Sequence, residues 1–299
     1  MPEPARLQKW AGRGVKIADL EHELTILRYA STEHDGVSDL RTSVMTHVAW
    51  VPEDWLPAAT AALAGLADRH PSRTILLIPD PGAERDELDA EVSVQCFPLP
   101  GQERHVCSEV IDLWLRGRRT EAPASIVQPL LLADLPAFSR WRGQPPFDAR
   151  EFKQIVSVVD RLVVDSSEWP EVPRAYVPYA ELFDQVVVSD IAWTRSLPWR
   201  EAAAHLWPEI ADADDVWVTG PRTEAYLLTG WLRSRLGREF RLDLTEEVFG
   251  EANEVVVGGK IAPIRRDPPR SSSDLLSEEL DVYVRDPAYE AAVRAAAQM

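Results

Sequence analysis

The clearest change of rhythm between apolar and polar positions lies between Gln128 and Trp169. Leu130–Leu132 and Leu135–Trp141 are short apolar runs cut by Pro136, which predicts a buried edge-type strand or strand entry rather than a long helix. Gly143 and Pro145-Pro146 close it. Asp148 with Glu151 three residues on has the form of a capping box, and Phe147 and Phe152 occupy the positions of a hydrophobic staple. The helix so predicted carries Phe152, Ile155, Val156 and Val159 on one side. Arg161–Asp165 then gives a strand whose apolar centre runs into the polar cluster Asp165-Ser166-Ser167-Glu168. A strand, helix, strand unit builds parallel sheet, and ligands or partners meet such sheets at the carboxyl ends of the strands, here near Asp165.

From the start of the chain, residues 1–14 read as a loose lead-in with Trp10 as the one large apolar residue. Ile17, Leu20, Leu24 and Leu27 mark one side of an amphipathic helix. Residues 31–39 read as a loop, Arg41–Val51 as an alternating strand, and Asp54–Ala67 as an alanine-rich helix. Thr74–Ile78 is all apolar, the pattern of a central parallel strand covered on both faces. Leu88–Phe97 alternates as a strand, and the spacing of Val106, Val110, Leu113 and Trp114 predicts a helix ended by Arg116-Gly117-Arg118-Arg119.

Three prolines in the nine residues 170–178 predict a linker. Beyond it come a buried strand at Gln185–Asp190, a helix over Pro198–Trp207 and a strand at Asp215–Thr219. A helix capped by Thr223 then runs to Gly237. Strands are predicted at Glu239–Leu244, Glu254–Val257 and Lys260–Ile264, the last two joined through Gly258-Gly259. Ser271–Ser273 reads as a flexible interruption before a helix from Asp274 to the end. The fold class is α/β: an N-terminal domain over 15–169, the linker 170–178 and a C-terminal α/β domain over 179–299, each a mostly parallel or mixed sheet with flanking helices.

A chain of 299 residues, 45% hydrophobic, is long enough for two such domains. Its 49 acidic against 32 basic residues give a net charge of -17. A chain this negative repels a phosphate backbone, which argues against nucleic acid and anionic membrane surfaces as partners. No segment approaches the roughly 18 apolar residues of a membrane span. The first residues lack a charged region followed by an apolar run and cleavage site, so the expected location is cytoplasmic. Cys96 and Cys107 are too few for a structural zinc site or a secreted disulfide framework, and the residues alone read as two reduced cysteines.

Signals for catalysis are absent. No G-x-G-x-x-G follows a strand, and Val257-Gly258-Gly259-Lys260 lacks the leading glycine and the following Ser or Thr of a phosphate loop. The six histidines form no H-x-x-x-H pair, and no G-x-S-x-G elbow occurs. The reading is of a protein that is not an enzyme and has no cofactor or metal. Candidate contacts for a partner or an anion are Trp141, Arg142, Asp165, Ser166, Asp190, Trp193, Arg195, Trp199 and Arg200, which stand at predicted strand ends or connections. Aromatic residues and arginine are over-represented at interface centres, and arginine forks suit carboxylates and phosphates.

Several stretches occur in a characteristic order. They are Asp68–Arg73, Leu130–Phe138 with Trp141-Arg142-Gly143 and Asp160–Ser166, Ser189–Arg195 leading to Trp199-Arg200, Gly230-Trp231-Leu232 with Arg235-Leu236-Gly237, and Glu278-Glu279-Leu280 followed by Asp286–Tyr289. In this order they resemble the glucose-6-phosphate dehydrogenase assembly protein (OpcA) family, from about Leu20 to the C-terminus. The resemblance implies a non-enzymatic assembly or activation factor of the pentose phosphate pathway. Its partner would be glucose-6-phosphate dehydrogenase, whose active oligomer it would promote as an allosteric activator. It also leaves open a redox-responsive role for Cys96 and Cys107. None of the matching motifs is catalytic, so no catalytic residue carries over. The alternative reading is a sugar-phosphate-binding module or cryptic enzyme that uses Arg195, Arg200 and Arg222 at the strand ends of the second domain.

Overall fold

A computed structural model describes residues 6–32, 39–40, 43–66, 69–98, 105–245, 254–258, 260–262 and 270–299. Of the loop expected over residues 31–39, residues 33–38 lie outside them, as do Gly259 and the basic pair Arg265-Arg266, while Ser31 and Thr32 belong to a helix and Asp39 to a strand. By packing, the chain divides into a unit of residues 1–162 with 272–280 and a unit of residues 163–271 with 281–299. Both are α/β, with mixed sheets and flanking helices, as the apolar patterning predicts.

The elements of the first unit are β1 (Arg6–Gly12), α1 (Ile17–Thr32), β2 (Asp39–Leu40), β3 (Met45–Trp50), α2 (Leu56–Ala64), β4 (Ser72–Asp80), β5 (Leu88–Pro98), β6 (His105–Arg116), α3 (Pro123–Val127), β7 (Ala137–Trp141), α4 (Arg150–Val156) and the start of β8 (Arg161–Val164). Along the sheet the strands run β1-β5-β6-β4-β3-β7-β8, with β2 beside β6. Strands β3, β4, β6 and β7 are mutually parallel, while β5 and β1 add an antiparallel edge. The apolar run of β4 is central as predicted, with Ile75, Leu76, Leu77 and Ile78 all buried. Leu20, Leu24 and Leu27 bury the predicted face of α1.

Three expectations are corrected here. The lead-in contains β1, paired with β5 so that Trp10 faces Val92 in register. The helix expected at Val106–Trp114 is the twelve-residue strand β6. Its Ile111, Leu113 and Leu115 are fully buried at alternate positions, and this two-residue period outweighs the helical spacing of Val110, Leu113 and Trp114. The capping box at Asp148 does not form: α4 begins at Arg150, with Ala149 at the cap and no side-chain cap bond. The staple contact persists without it, the Phe147 and Phe152 rings meeting edge to face at 5.8 Å.

The hairpin of β5 and β6 also corrects the reading of the cysteines. Its register sets Cys96 directly opposite Cys107, and the two are joined in a disulfide. The bond closes a loop of 11 residues in sequence separation. Loop closure of that size stabilises by about 2–3 kcal/mol. Dithiothreitol is therefore expected to lower the urea midpoint of the wild-type chain, and a Cys96→Ala chain should show no such shift.

The helix Ser272–Leu280 packs within this first unit. Ser273 Oγ donates to the Ala62 carbonyl, His70 Nε2 lies 2.6 Å from Ser277 Oγ, and Arg69 pairs with Asp274. Ser272 and Ser273 thus open a helix where an interruption was expected. The C-terminal segment comprises two helices, the second being Pro287–Ala296, rather than one.

The second unit takes the end of β8, then α5 (Tyr176–Ala180), β9 (Val187–Asp190), α6 (Ile191–Arg195), α7 (Leu197–His205), α8 (Glu209–Asp212), β10 (Val216–Pro221), α9 (Arg222–Leu236), β11 (Arg241–Thr245), β12 (Glu254–Val257), β13 (Lys260–Ile261) and the helix Pro287–Ala296. Its own sheet runs β11-β10-β12-β13, parallel between β10 and β11 and antiparallel elsewhere. Val216, Val218, Val255 and Val257 pack from it against Ala203, Ala225, Leu228 and Leu232 of the helices. The hairpin signal at Gly258 is met: Val257 pairs with Lys260, and Gly258 takes φ 58°. Gly237 ends α9 with φ 65°, as predicted. Thr223 does not cap α9, because its hydroxyl donates to the Ser166 carbonyl instead. The proline-rich segment expected as a linker is folded into this unit, with Val172, Ala175 and Tyr176 buried.

Candidate functional site

In the first unit the carboxyl ends of the parallel strands carry an aromatic cluster. β3 ends at Trp50 and β7 at Trp141, and the parallel register pairs these two residues, so their rings share a face of the sheet. The rings stack with centroids 4.7 Å apart and planes within 5°. Phe152 of α4 meets Trp141 edge-on at 5.0 Å. Trp141 is therefore buried, while Arg142 is half-buried at the rim with its guanidinium 4.8 Å from the centroid of Trp55. Beside this cluster, at the ends of β3, β4 and β6, a cleft of about 620 Å³ opens.

In the second unit, Asp165 and Asp190 follow the apolar centres of β8 and β9, and each uses its carboxylate to begin the next helical turn. Asp165 Oδ1 accepts from Ser167 N at 3.2 Å and Ser167 Oγ at 2.6 Å. Its Oδ2 accepts from Arg195 Nη2 at 2.9 Å, and Arg195 Nη1 donates to Glu224 Oε1 at 2.6 Å. Asp190 Oδ1 accepts from Ser166 N at 3.0 Å and Ala192 N at 2.9 Å, which caps α6. Its Oδ2 accepts from Ser166 Oγ at 2.5 Å and Tyr289 O–H at 3.2 Å. Ser166 Oγ has one proton and gives it to Asp190, so Tyr176, 3.1 Å away, is the donor in the other contact.

Depth sets the electrostatics. Asp190 is fully buried, and burial followed by the nearby charge of Asp165 pushes its carboxyl up to about 7, against the hydrogen bonds from Ser166 and Ala192. Burial works against the Arg195 charge, yet Asp165 and Glu224 hold it more firmly protonated than usual. Burial raises the Glu224 carboxyl, and Arg195 opposes the rise.

The remaining candidates form a second layer. Trp193 is buried and its Nε1 donates to Asp286 Oδ2 at 2.8 Å, while Asp286 Oδ1 caps the helix Pro287–Ala296. Arg200 lies 3.5 Å from the Trp193 ring centroid and donates to the Trp193 carbonyl at 3.0 Å. Trp199 is half-buried against the core of this unit. Arg222 donates to the Val172 carbonyl at 3.1 Å. The structure thus brings together Asp165, Ser166, Asp190 and Arg195, and beside them Trp193 and Arg200, each held by partners within the unit. Chemically, the buried network orders helix starts: Ser166 is fully buried, and its oxygen contacts a carboxylate and a phenol rather than an imidazole.

Sequence reasoning missed Tyr176, Tyr179, Tyr289 and Glu224, which complete this network. Tyr176 and Tyr179 stand at i, i+3 inside the proline-rich segment, a spacing that marks one helical face. Among the described residues no group of three or more His, Cys, Asp or Glu is placed to hold a metal ion, and no helix is long and apolar enough to cross a membrane.

Fold and site together define a two-unit α/β protein whose buried carboxylates serve its own helix starts. Residues 64–181 match the family described as the glucose-6-phosphate dehydrogenase subunit N-terminal domain, and residues 186–264 match the corresponding C-terminal domain. These matches cover more than half of the chain, and the chain belongs to this glucose-6-phosphate dehydrogenase subunit family. It is also similar to curated proteins provisionally named OxPP cycle protein OpcA. The one from Synechococcus elongatus is 29% identical over 184 residues, covering 58% of this chain and 41% of the relative. That from Synechocystis is 28% identical over 192 residues, covering 58% and 39%, and that from Nostoc punctiforme 29% over 183 residues, covering 57% and 39%. The chain thus spans about two fifths of the length of these relatives.

Proposed function

We propose that this chain is a non-enzymatic assembly factor that binds glucose-6-phosphate dehydrogenase and promotes its active oligomer, acting in the cytoplasm. The observation that carries the reading is the pair of consecutive family matches over residues 64–181 and 186–264, both described as domains of a subunit of that dehydrogenase. The buried carboxylate network agrees with it, since its polar groups are engaged in holding the fold. In physical terms, a protein that binds only the assembled dehydrogenase shifts the population toward that state by its differential affinity. At a hundredfold excess over its dissociation constant, the shift amounts to about 2.7 kcal/mol.

The test is a coupled NADPH assay of the dehydrogenase from the same cell, with and without this protein, alongside size-exclusion chromatography. Activation with co-elution in a larger species is the expected outcome, and the purified chain alone should turn over no glucose 6-phosphate. Unchanged activity and unchanged elution at saturating protein would refute the proposal.

A further inference from the structure

The cleft at the carboxyl ends of β3, β4 and β6 has no part in the buried carboxylate network. In parallel α/β sheets this is the edge at which connecting loops part and leave room for a ligand. Its apolar lining comprises Trp50, Pro52, Pro79, Pro81 and Ala83. Its charged lining is Asp86, Glu121 and Glu151 against Arg118, a net negative set. Asp86 is already engaged, accepting from Arg118 N at 2.8 Å and Arg118 Nε at 2.7 Å. Glu121, exposed, and Glu151, half-buried, also line the cleft; their carboxylates make no hydrogen bond or ion pair among the described residues, although Glu121 adds to the negative field at Arg118.

The carriers of those two carboxylates are held in place. Gln154, three residues along α4 from Glu151, donates from Nε2 to the Glu121 carbonyl at 2.9 Å, which ties the two segments together. On the other side, Gly117 takes φ 55°, and a Cβ there would lie 2.5 Å from Asp86 Oδ1, so the turn bearing Asp86 closes on a position that only glycine fills without displacement. The cleft is therefore built before any ligand arrives.

Apolar residues beside two carboxylates that make no ion pair, in a lining with a net negative charge, suit a cation on an apolar stem. Lysine and arginine side chains lay their methylenes along apolar surface and keep the charge at the rim, and guanidinium also stacks on aromatic rings. A phosphate or carboxylate ligand would meet three carboxylates against Arg118, itself held by Asp86, and the net charge of -17 repels anions and steers cations at longer range. We infer that this cleft binds an arginine- or lysine-bearing segment of a partner protein and, resting on the function proposed above, that the partner is the dehydrogenase.

The test uses the full chain and its Glu121→Gln/Glu151→Gln variant, with two readouts. The first is anisotropy of a fluorescein-labelled Gly-Arg-Gly-Arg-Gly peptide at low and at physiological salt, against the same peptide with glutamine for arginine. The second is affinity for the dehydrogenase itself. Expected are binding of the arginine peptide alone, about tenfold weaker binding of it by the variant, and about tenfold weaker, less salt-dependent binding of the dehydrogenase. Equal peptide binding by wild type and variant overturns the site, as does tighter binding of spermidine than of the peptide. Loss of the peptide without loss of the dehydrogenase overturns the assigned partner. Failure of wild type to bind the dehydrogenase removes the proposed function and the assigned partner together, while the peptide arm still decides the cleft.

Discussion

An Asp190→Ala chain is expected to lose about 4 kcal/mol of stability, a loss concentrated in residues 163–271. The carboxylate accepts from two backbone N–H groups, one serine and one tyrosine, and all four donors lie in the interior. Alanine leaves the two backbone N–H groups without an acceptor, while the Ser166 and Tyr289 hydroxyls still have Tyr176 and Tyr179 within reach. An isolated hydrogen bond is worth only about 1 kcal/mol net, but stranding a buried donor costs about 1–3 kcal/mol, so the desolvation penalty decides the size of the effect. Asp190→Asn keeps one acceptor oxygen and the shape, and should cost about half as much. Hydrogen exchange at Ser166 and Ala192, measured beside urea unfolding, locates the loss. Protection there unchanged in the alanine variant would contradict the network.

The same residue gives a pH signature whose sign follows from its surroundings. In the fold the Asp190 carboxyl is pushed up to about 7, first by burial and then by Asp165, from an ordinary value of 3.8. Between those two values the folded chain holds a proton that the unfolded chain has released, so stability from this group is highest below about pH 4. It falls as pH rises to about 7 and is level beyond. Asparagine does not titrate. The advantage of wild type over Asp190→Asn should therefore shrink from pH 4 to pH 7 and then stay constant, and carboxyls that do not interact with Asp190 cancel in the comparison. A gap that widens with pH would show the carboxylate, not the acid, to be the favoured form in the fold.

How much of this was legible depended on whether the deciding contacts were local. Asp165 and Asp190 could be placed at strand ends, because an apolar run that stops at a carboxylate is a local signal; that each carboxylate begins the next helical turn was not read. Their depth could not be read, since the groups that bury Asp190 include Tyr289, 99 residues away in sequence. One wrong period hid a second feature: with β6 taken as a helix, Cys107 had no reason to face Cys96, whereas the antiparallel register of β5 and β6 makes them opposite neighbours. β1 escaped notice because an edge strand needs few apolar residues, and Leu7 is in fact exposed. At α4 the staple survived and the box did not, because Ala149 N donates to the Pro146 carbonyl and closes a turn that delays the helix. In the cleft, Glu121 and Glu151 are 30 positions apart and gave no joint signal, although strand ends close to the lining residues Trp50 and Pro79 had been predicted at Val51 and Ile78.

Gly230→Ala is the second change with a large expected effect, and here two principles pull in opposite directions. On an exposed helix surface, replacing glycine by alanine gains about 1 kcal/mol from helix propensity. Gly230, however, lies in α9 where the helix Pro287–Ala296 comes closest: an added Cβ would stand 2.3 Å from the Ala292 carbonyl oxygen and 3.0 Å from both Ala296 N and Cβ. Two of those three atoms are backbone, so no rotamer change relieves the overlap and the helices must separate. The seam between them is tightly filled, with Leu227, Ala292, Val293 and Ala296 all fully buried, and separation sacrifices contacts along its length. Overpacking against backbone outweighs the propensity gain, and the net loss expected is about 3–4 kcal/mol. An Ala296→Gly change added to Gly230→Ala relieves one contact of the three and should recover only a minor part. A urea midpoint for Gly230→Ala at or above that of wild type would mean that propensity had won, and that the two helices do not meet at this glycine.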